Sequence, residues 1–295
     1  MIRKRAFRVG LALALGAMLA ASAPSLPHAA DAGASTWASG FHASFRLVDG
    51  GAAEAPGLRK AGIEIRLDPH FKTYWRTPGD SGLPPSFDWS GSDNVKAVEV
   101  RWPLPARFED AAGSSIGYKE SVLLPLRVTL ANPARPAALN LKLDYAVCEQ
   151  ICIPVKGEAR LPLGSGAAAP PFAPAVAAAE ARAPVRKPAG SGAPPSIEAA
   201  AAAADGGSIA VSAVIPPGAD PVELFAEAGQ DWLFGAPALV KDEPSRDARR
   251  VTWRLAVDAA PTDARLAGLP VTITLSVGGT AIEVETRLDA EPKPH

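Results

Sequence analysis

The chain has almost no cysteine, two in 295 residues. That number excludes a disulfide-stapled scaffold, so apolar burial must hold the core. Histidine is nearly as scarce, at four. His28 lies in a segment expected to be removed, and His295 is terminal. His42 and His70 stand far from both cysteines in sequence, and no zinc-type ligand spacing is present. There is no G-x-S-x-G, no H-E-x-x-H and no glycine-rich phosphate loop, so nothing points to hydrolysis or nucleotide binding. Charge is close to balanced, at −1. Such a chain has no electrostatic footprint for nucleic acid or an anionic membrane. Beyond the first residues no apolar run reaches the ~20 residues that a spanning helix needs.

What is present begins with an export signal. Arg3, Lys4, Arg5 and Arg8 precede the apolar run Leu11 to Ala23, and small residues follow up to Ala30-Asp31-Ala32. This pattern is a secretory signal peptide over residues 1–30. Its removal takes four positive charges, so the formal charge falls from −1 to about −5 (−1 minus 4). The expected location is the periplasm, an oxidising compartment in which two cysteines can pair.

From residue 38 to 164 apolar and polar residues alternate with the period of half-buried strands. Phe41, Ala43, Phe45 and Leu47 form one such series; Ile63, Ile65 and Leu67 a second; Val98, Val100 and Trp102 a third. Leu126, Val128 and Leu130 follow, and Leu139, Leu141, Leu143, Tyr145 and Val147 make the longest. Short strands separated by Pro/Gly-rich turns predict an all-β sandwich. Residues 165–206 are rich in Ala, Pro and Gly and read as a linker, with room for a short helix over Ala175 to Ala183. Strand patterns return over 207–289, which predicts a second, smaller β domain without Cys or His.

The two cysteines stand in YAVCEQICIPV, residues 145–155. In one extended strand Cys148 and Cys152 would lie ~13 Å apart, whereas a disulfide needs Cα atoms ~4.4–6.8 Å apart. A helix leaves the Cβ atoms too far apart, at ~5–6 Å. A turn over Glu149, Gln150 and Ile151 brings the sulfurs face to face. Three-residue hairpins favour Gly at a left-handed position; Gln150 takes that strain, or the loop is irregular. A bridge closing so short a loop gains about 2 kcal/mol or less, and tight loops make a bridge easier to reduce. Staple and redox couple both remain open, with a soft metal on the reduced thiolates as a third reading. The six Trp read first as core or loop fillers.

The run YWRTPGDSGLPPSFDWSGSDNV (74–95), followed by RWPLPARF (101–108), GYKESVLLPLRV (117–128) and the cysteine stretch, resembles the exported amino-terminal domain of DsbD-type thiol:disulfide interchange proteins, in the ScsB-like branch. LFAEAGQDWLFGAP (224–237) and GTAIEVETRL (279–288) resemble the second periplasmic segment of that branch more loosely. The resemblance implies an immunoglobulin-like sandwich and a redox-active pair without cofactor or bound metal. It also implies thioredoxin-like periplasmic partners and a tie to cytochrome c biogenesis. By family pattern Cys152 attacks partner disulfides and Cys148 resolves the mixed disulfide. Glu149 disfavours a thiolate at Cys148, and Lys156 favours one at Cys152 if the hairpin brings it near. The shielding cap corresponds to FEDAAGSSIGY (108–118), with Ala111, Ala112 and Gly113 where an aromatic tip is expected. Tyr74, Trp75 and Tyr118, with Glu109 and Asp110 of the cap, are the residues expected to shield the pair or meet a partner. The chain shows no intramembrane cysteine and no C-x-x-C, so the electron donor is expected to be a separate membrane conduit. The rival is a non-catalytic exported β-sandwich that binds a partner or metal and carries a local staple.

Overall fold

The computed structural model describes residues 32–80, 82–110, 113–164, 169–204, 206–229 and 231–290, with Asp110 described in its backbone alone. The expected signal peptide, cap residues Ala111 and Ala112, and the last five residues lie outside the described residues.

Among the described residues, eleven strands build the first half. They are β1 (Ala38–Gly40), β2 (Ala43–Ala52), β3 (Leu58–Leu67), β4 (Lys72–Gly79), β5 (Ser86–Asp88) and β6 (Val95–Val100), followed by β7 (Ala106–Asp110), β8 (Gly113–Lys119), β9 (Ser121–Leu130), β10 (Ala137–Cys148) and β11 (Cys152–Leu163). One sheet has the order β1-β2-β3-β9-β6; the other has β11-β10-β4-β8-β7, with β5 paired to β10. The alternation explains both sheets. Phe45, Leu47, Ile63 and Ile65 of the first face Leu139, Leu141, Leu143 and Val147 of the second in one buried cluster. Each such side chain, withdrawn from water, stabilises by about 1.5–3 kcal/mol. The result is an immunoglobulin-like β-sandwich.

Two alternations end differently from the sequence pattern. Phe41 stands in the β1–β2 turn at 46% exposure, and neighbouring His42 has φ +48°. Trp102 lies past the end of β6, where Pro103 stops the ladder, and its ring meets Phe87 edge-on at 6.0 Å.

Residues 169–204 are not the open linker that their composition predicts. Helix α1 (Ala173–Glu180), with Pro174 in its first turn, buries Val176 and Ala179. Val176 packs with Ala34 and Val48 of the first sandwich. Glu180 accepts two hydrogen bonds from Arg127, at 2.9 and 2.7 Å, and pairs with Lys60 at 3.2 Å. Further on come β12 (Val185–Arg186) and β13 (Ser196–Ala202). Alanine has low strand propensity, but register decides here. β13 runs antiparallel to β14 (Ser208–Ile215), and its small Ala200 and Ala202 fit beneath the second core.

The second half adds β15 (Val222–Glu227), β16 (Leu233–Phe234), β17 (Ala238–Pro244), β18 (Arg249–Ala259), β19 (Pro270–Val277), β20 (Thr280–Arg287) and β21 (Asp289–Ala290). Its sheets read β12-β20-β19-β15 and β16-β18-β14-β13-β21, with β17 paired to β18. Leu255, Ile273, Leu275 and Val284 centre its core.

The halves meet along β4 and β15. Leu224 and Ala226 of β15 face their own core, while Phe225 enters the core cluster of the first sandwich. Its ring lies 5.5 Å from that of Trp75. Beside it Arg76 bonds both carboxylate oxygens of Glu227, at 2.9 and 2.6 Å, and reaches Glu283 of β20 at 2.5 Å. Thr77 donates to Glu227 at 2.6 Å.

Candidate functional site

The cysteines close the end of a long hairpin. β10 and β11 pair from Ala137↔Leu163 to Cys148↔Cys152, so the two residues stand directly opposite each other. Glu149, Gln150 and Ile151 reverse the chain. None of them is among the described residues with positive φ, so the loop is irregular rather than strained at Gln150. No bond joins the two cysteines, and their sulfurs lie 2.7 Å apart. A bond forms at ~2.05 Å, so oxidation asks for a movement of less than one ångström. Cys148 is 4% exposed; Cys152 is half-buried.

β4 supplies the neighbours. Lys72 pairs with Cys148 and Thr73 with Val147. On its other side Lys72 pairs with Lys119 of β8, and Tyr74 pairs with Gly117. Directly opposed residues share a face. One row at the end of this sheet therefore reads Cys152, Cys148, Lys72, Lys119, all on the face turned away from the core.

That outer face is partly open in the middle of β10 but closed at this end. Lys142 is exposed, whereas Ala146 and Cys148 are buried. Tyr74 covers them and forms a small apolar cluster with them. Its hydroxyl lies 2.8 Å from Cys152 Sγ. Burial and the two neighbouring thiols push the phenol far above its ordinary range. Tyr74 therefore keeps its proton and has it available for the sulfur. The loop after β4 lies on the ring, since a Cβ at Gly82 would come within 2.7 Å of Tyr74 Cδ1.

Lys72 is 5% exposed. Its Nζ donates to Ser115 Oγ at 2.7 Å. The Phe108 ring stands over both lysines of the row, 5.9 Å from Lys72 Nζ and 4.4 Å from Lys119 Nζ. Burial pushes the Cys148 thiol up, and the bond from Cys152 adds to this. The Tyr74 hydrogen bond and the Lys72 charge act the other way.

Of the residues expected from sequence, Cys148, Cys152 and Tyr74 come together. Trp75 does not join them, because it follows Tyr74 by one and points to the opposite face at 1% exposure. Tyr118 also faces the core and donates its hydroxyl to the Pro103 carbonyl at 2.7 Å. Glu109 is exposed on β7, and the Asp110 backbone pairs with Gly113 in the cap hairpin. Lys156 lies four rungs from the sulfurs and pairs with Asp144 at 2.7 Å, so the nearby cation is Lys72. Lys72 and Phe108 were readable in part. Lys72 precedes Tyr74 by two, which puts both on one face. Phe108 opens the cap segment instead of crowning it. Among the described residues no three His, Cys, Asp or Glu stand together in a metal-holding group.

Removing only the Tyr74 hydroxyl tests its role. Tyr74→Phe leaves the ring and its cover in place. The bond to a sulfur is worth about 1.5–3 kcal/mol when the acceptor is charged. Alkylation of Cys152 at a fixed neutral pH is therefore expected to slow about tenfold. An unchanged rate would show that the hydroxyl does not bond the thiolate.

Residues 47–163 match the family model described as thiol:disulfide interchange protein DsbD, N-terminal. Among solved structures, the N-terminal periplasmic domain of ScsB from Proteus mirabilis is similar over 88% of this chain and 100% of that chain, with a TM-score of 0.69 at 21% identity. That likeness extends over most of the chain and shows the shared fold. No curated protein matches the chain. No helix among the described residues is long and apolar enough to cross a membrane.

Proposed function

We propose, proceeding from a first domain of the DsbD amino-terminal type, that the chain is a periplasmic electron relay. Its class is thiol:disulfide interchange. The relay passes two electrons from the Cys148–Cys152 dithiol to disulfides of thioredoxin-like partners, and a separate membrane protein re-reduces it. The observation that carries this reading is the pair itself, two sulfurs 2.7 Å apart of which one is buried and one accessible.

The steps follow from that difference in access. Cys152, as thiolate, attacks one sulfur of the partner disulfide. A mixed disulfide forms, and the partner's other sulfur leaves as a thiolate. Cys148 gives up its proton and attacks Cys152 Sγ. The intramolecular disulfide forms and the second partner sulfur leaves with the electron pair. The partner ends as a dithiol once both sulfurs are protonated. Tyr74 donates a hydrogen bond to Cys152 whenever that sulfur carries charge.

A redox titration tests the reading. A relay pair is expected to have a potential well above about −300 mV, the value below which structural bridges lie. Cys148→Ala is expected to trap mixed disulfides with oxidised thioredoxin-like proteins, and Cys152→Ala to trap none. A potential below that range, or no trapping by Cys148→Ala, would leave the pair a local staple.

A further inference from the structure

A buried sulfur is a poor place for negative charge, yet any exchange at this pair puts charge on Cys148. Only Cys152 is accessible, so an incoming thiolate must strike Cys152 Sγ. The sulfur expelled is then always Cys148. Burial at 4% exposure makes its thiolate costly. A thiol that resists ionisation also leaves slowly. The structure puts a cation where that cost arises. Lys72 is directly opposite Cys148 in the neighbouring strand, on the same face. Its ammonium is buried, anchored on Ser115 Oγ at 2.7 Å and roofed by Phe108.

We propose that Lys72 is the charge that lets Cys148 depart, and return, as a thiolate. This rests on the relay reading and deepens it, because it concerns how the oxidised pair is reloaded. The donor is a dithiol. One donor thiolate attacks Cys152 Sγ and forms a mixed disulfide. The Sγ–Sγ bond breaks, and its electron pair goes to Cys148 Sγ, opposite Lys72 in the neighbouring strand. The donor's second thiolate then attacks the donor sulfur of the mixed disulfide and expels Cys152 as a thiolate. The donor leaves as a disulfide, the pair holds two more electrons, and solvent protons complete the thiols. In the delivery direction the same charge favours Cys148 as the attacking thiolate.

Several charged or titratable groups surround the Cys148 sulfur. Cys152 comes from β11, Tyr74 and Lys72 from β4, Lys119 from β8 beyond Lys72, and exposed Glu149 from the turn. Lys72 is the buried cation of the set. Lys119 is exposed and so screened by water.

The experiment uses the full chain with dithiothreitol as the donor and iodoacetamide as a neutral thiol probe. Lys72→Met is expected to slow reduction of the oxidised protein about threefold at pH 7. In a Cys152→Ala background it is expected to raise the pH midpoint of Cys148 alkylation by about one unit, a tenfold change in the ionisation equilibrium. Lys72→Arg, which keeps the charge, should hold the midpoint near wild type. Lys72→Gln, which is shorter and can still bond Ser115, replaces Lys72→Met if that variant fails to fold. A midpoint unmoved in folded Lys72→Met or Lys72→Gln protein overturns the proposal. It does so even where the wild-type potential lies in the relay range. A wild-type potential below that range defeats the relay reading, and the alkylation midpoint still decides whether Lys72 governs the Cys148 charge.

Discussion

Replacing Arg76 by alanine is expected to cost about 3–5 kcal/mol of folding stability, read as a lower urea midpoint. The reason is what the substitution leaves behind. The Glu227 and Glu283 side chains are 12% and 6% exposed, and both aim at the guanidinium. Breaking a buried pair by removing one partner strands the other charge. Arg186 still reaches Glu283 at 3.2 Å and Thr77 still donates to Glu227, so the loss should fall at the lower end. Two further results separate this from a packing defect. Adding Glu227→Gln and Glu283→Gln to the alanine variant should recover most of the loss. The wild-type junction should also weaken in acid. Burial pushes the Glu283 carboxyl up, but the bonds and charges of Arg76 and Arg186 outweigh it and hold the group below its ordinary value of 4.5. A lowered folded pKa contributes stability that is fully present above the unfolded value, ~4.3. That stability is lost as pH falls through the folded value. Glu283→Gln should flatten this acid limb. An Arg76→Ala loss below about 1 kcal/mol would mean that the carboxylates reach water.

Phe225→Ala is expected to cost a similar amount, about 3–5 kcal/mol, the usual range for emptying a buried aromatic site. Phe225 belongs to the second half of the chain but is 1% exposed inside the core of the first, against Trp75. Its removal opens a cavity at the seam, where neither half can collapse without breaking the Arg76 cluster. Phe225→Leu refills part of the space and should lose less. Calorimetry distinguishes a local defect from undocking. If the ring couples the halves, the alanine variant should melt in two steps where the wild type melts in one. A single transition with a loss under 1 kcal/mol would show that the halves are held without it.

The hairpin was legible in the sequence because a single distance decides it. Two cysteines four residues apart can meet only across a reversal, and Glu149 to Ile151 supply one. The strands were legible where one face meets a core, as along Leu139 to Val147. Composition misled over residues 196–202. An alanine run has no alternation of size, so nothing local shows that Ala200 and Ala202 lie under a second core. The surroundings of the sulfurs were legible only in part, for a topological reason. That Lys72 faces Cys148 follows from β4 lying beside β10, a pairing across 76 positions that no spacing rule encodes. The junction is harder still. Arg76 and Glu227 stand 151 residues apart, and scattered charges give no sign of which will meet.

The place of the sulfurs at the end of the β10–β11 ladder has a mechanical meaning. Twelve residue pairs make up that ladder, and the cysteines are the last. Opening or closing the bond disturbs the final pair, while eleven stay fastened behind it. In the proposed relay the molecule would be charged and discharged many times with its architecture at rest, like a battery terminal mounted on a beam that does not bend.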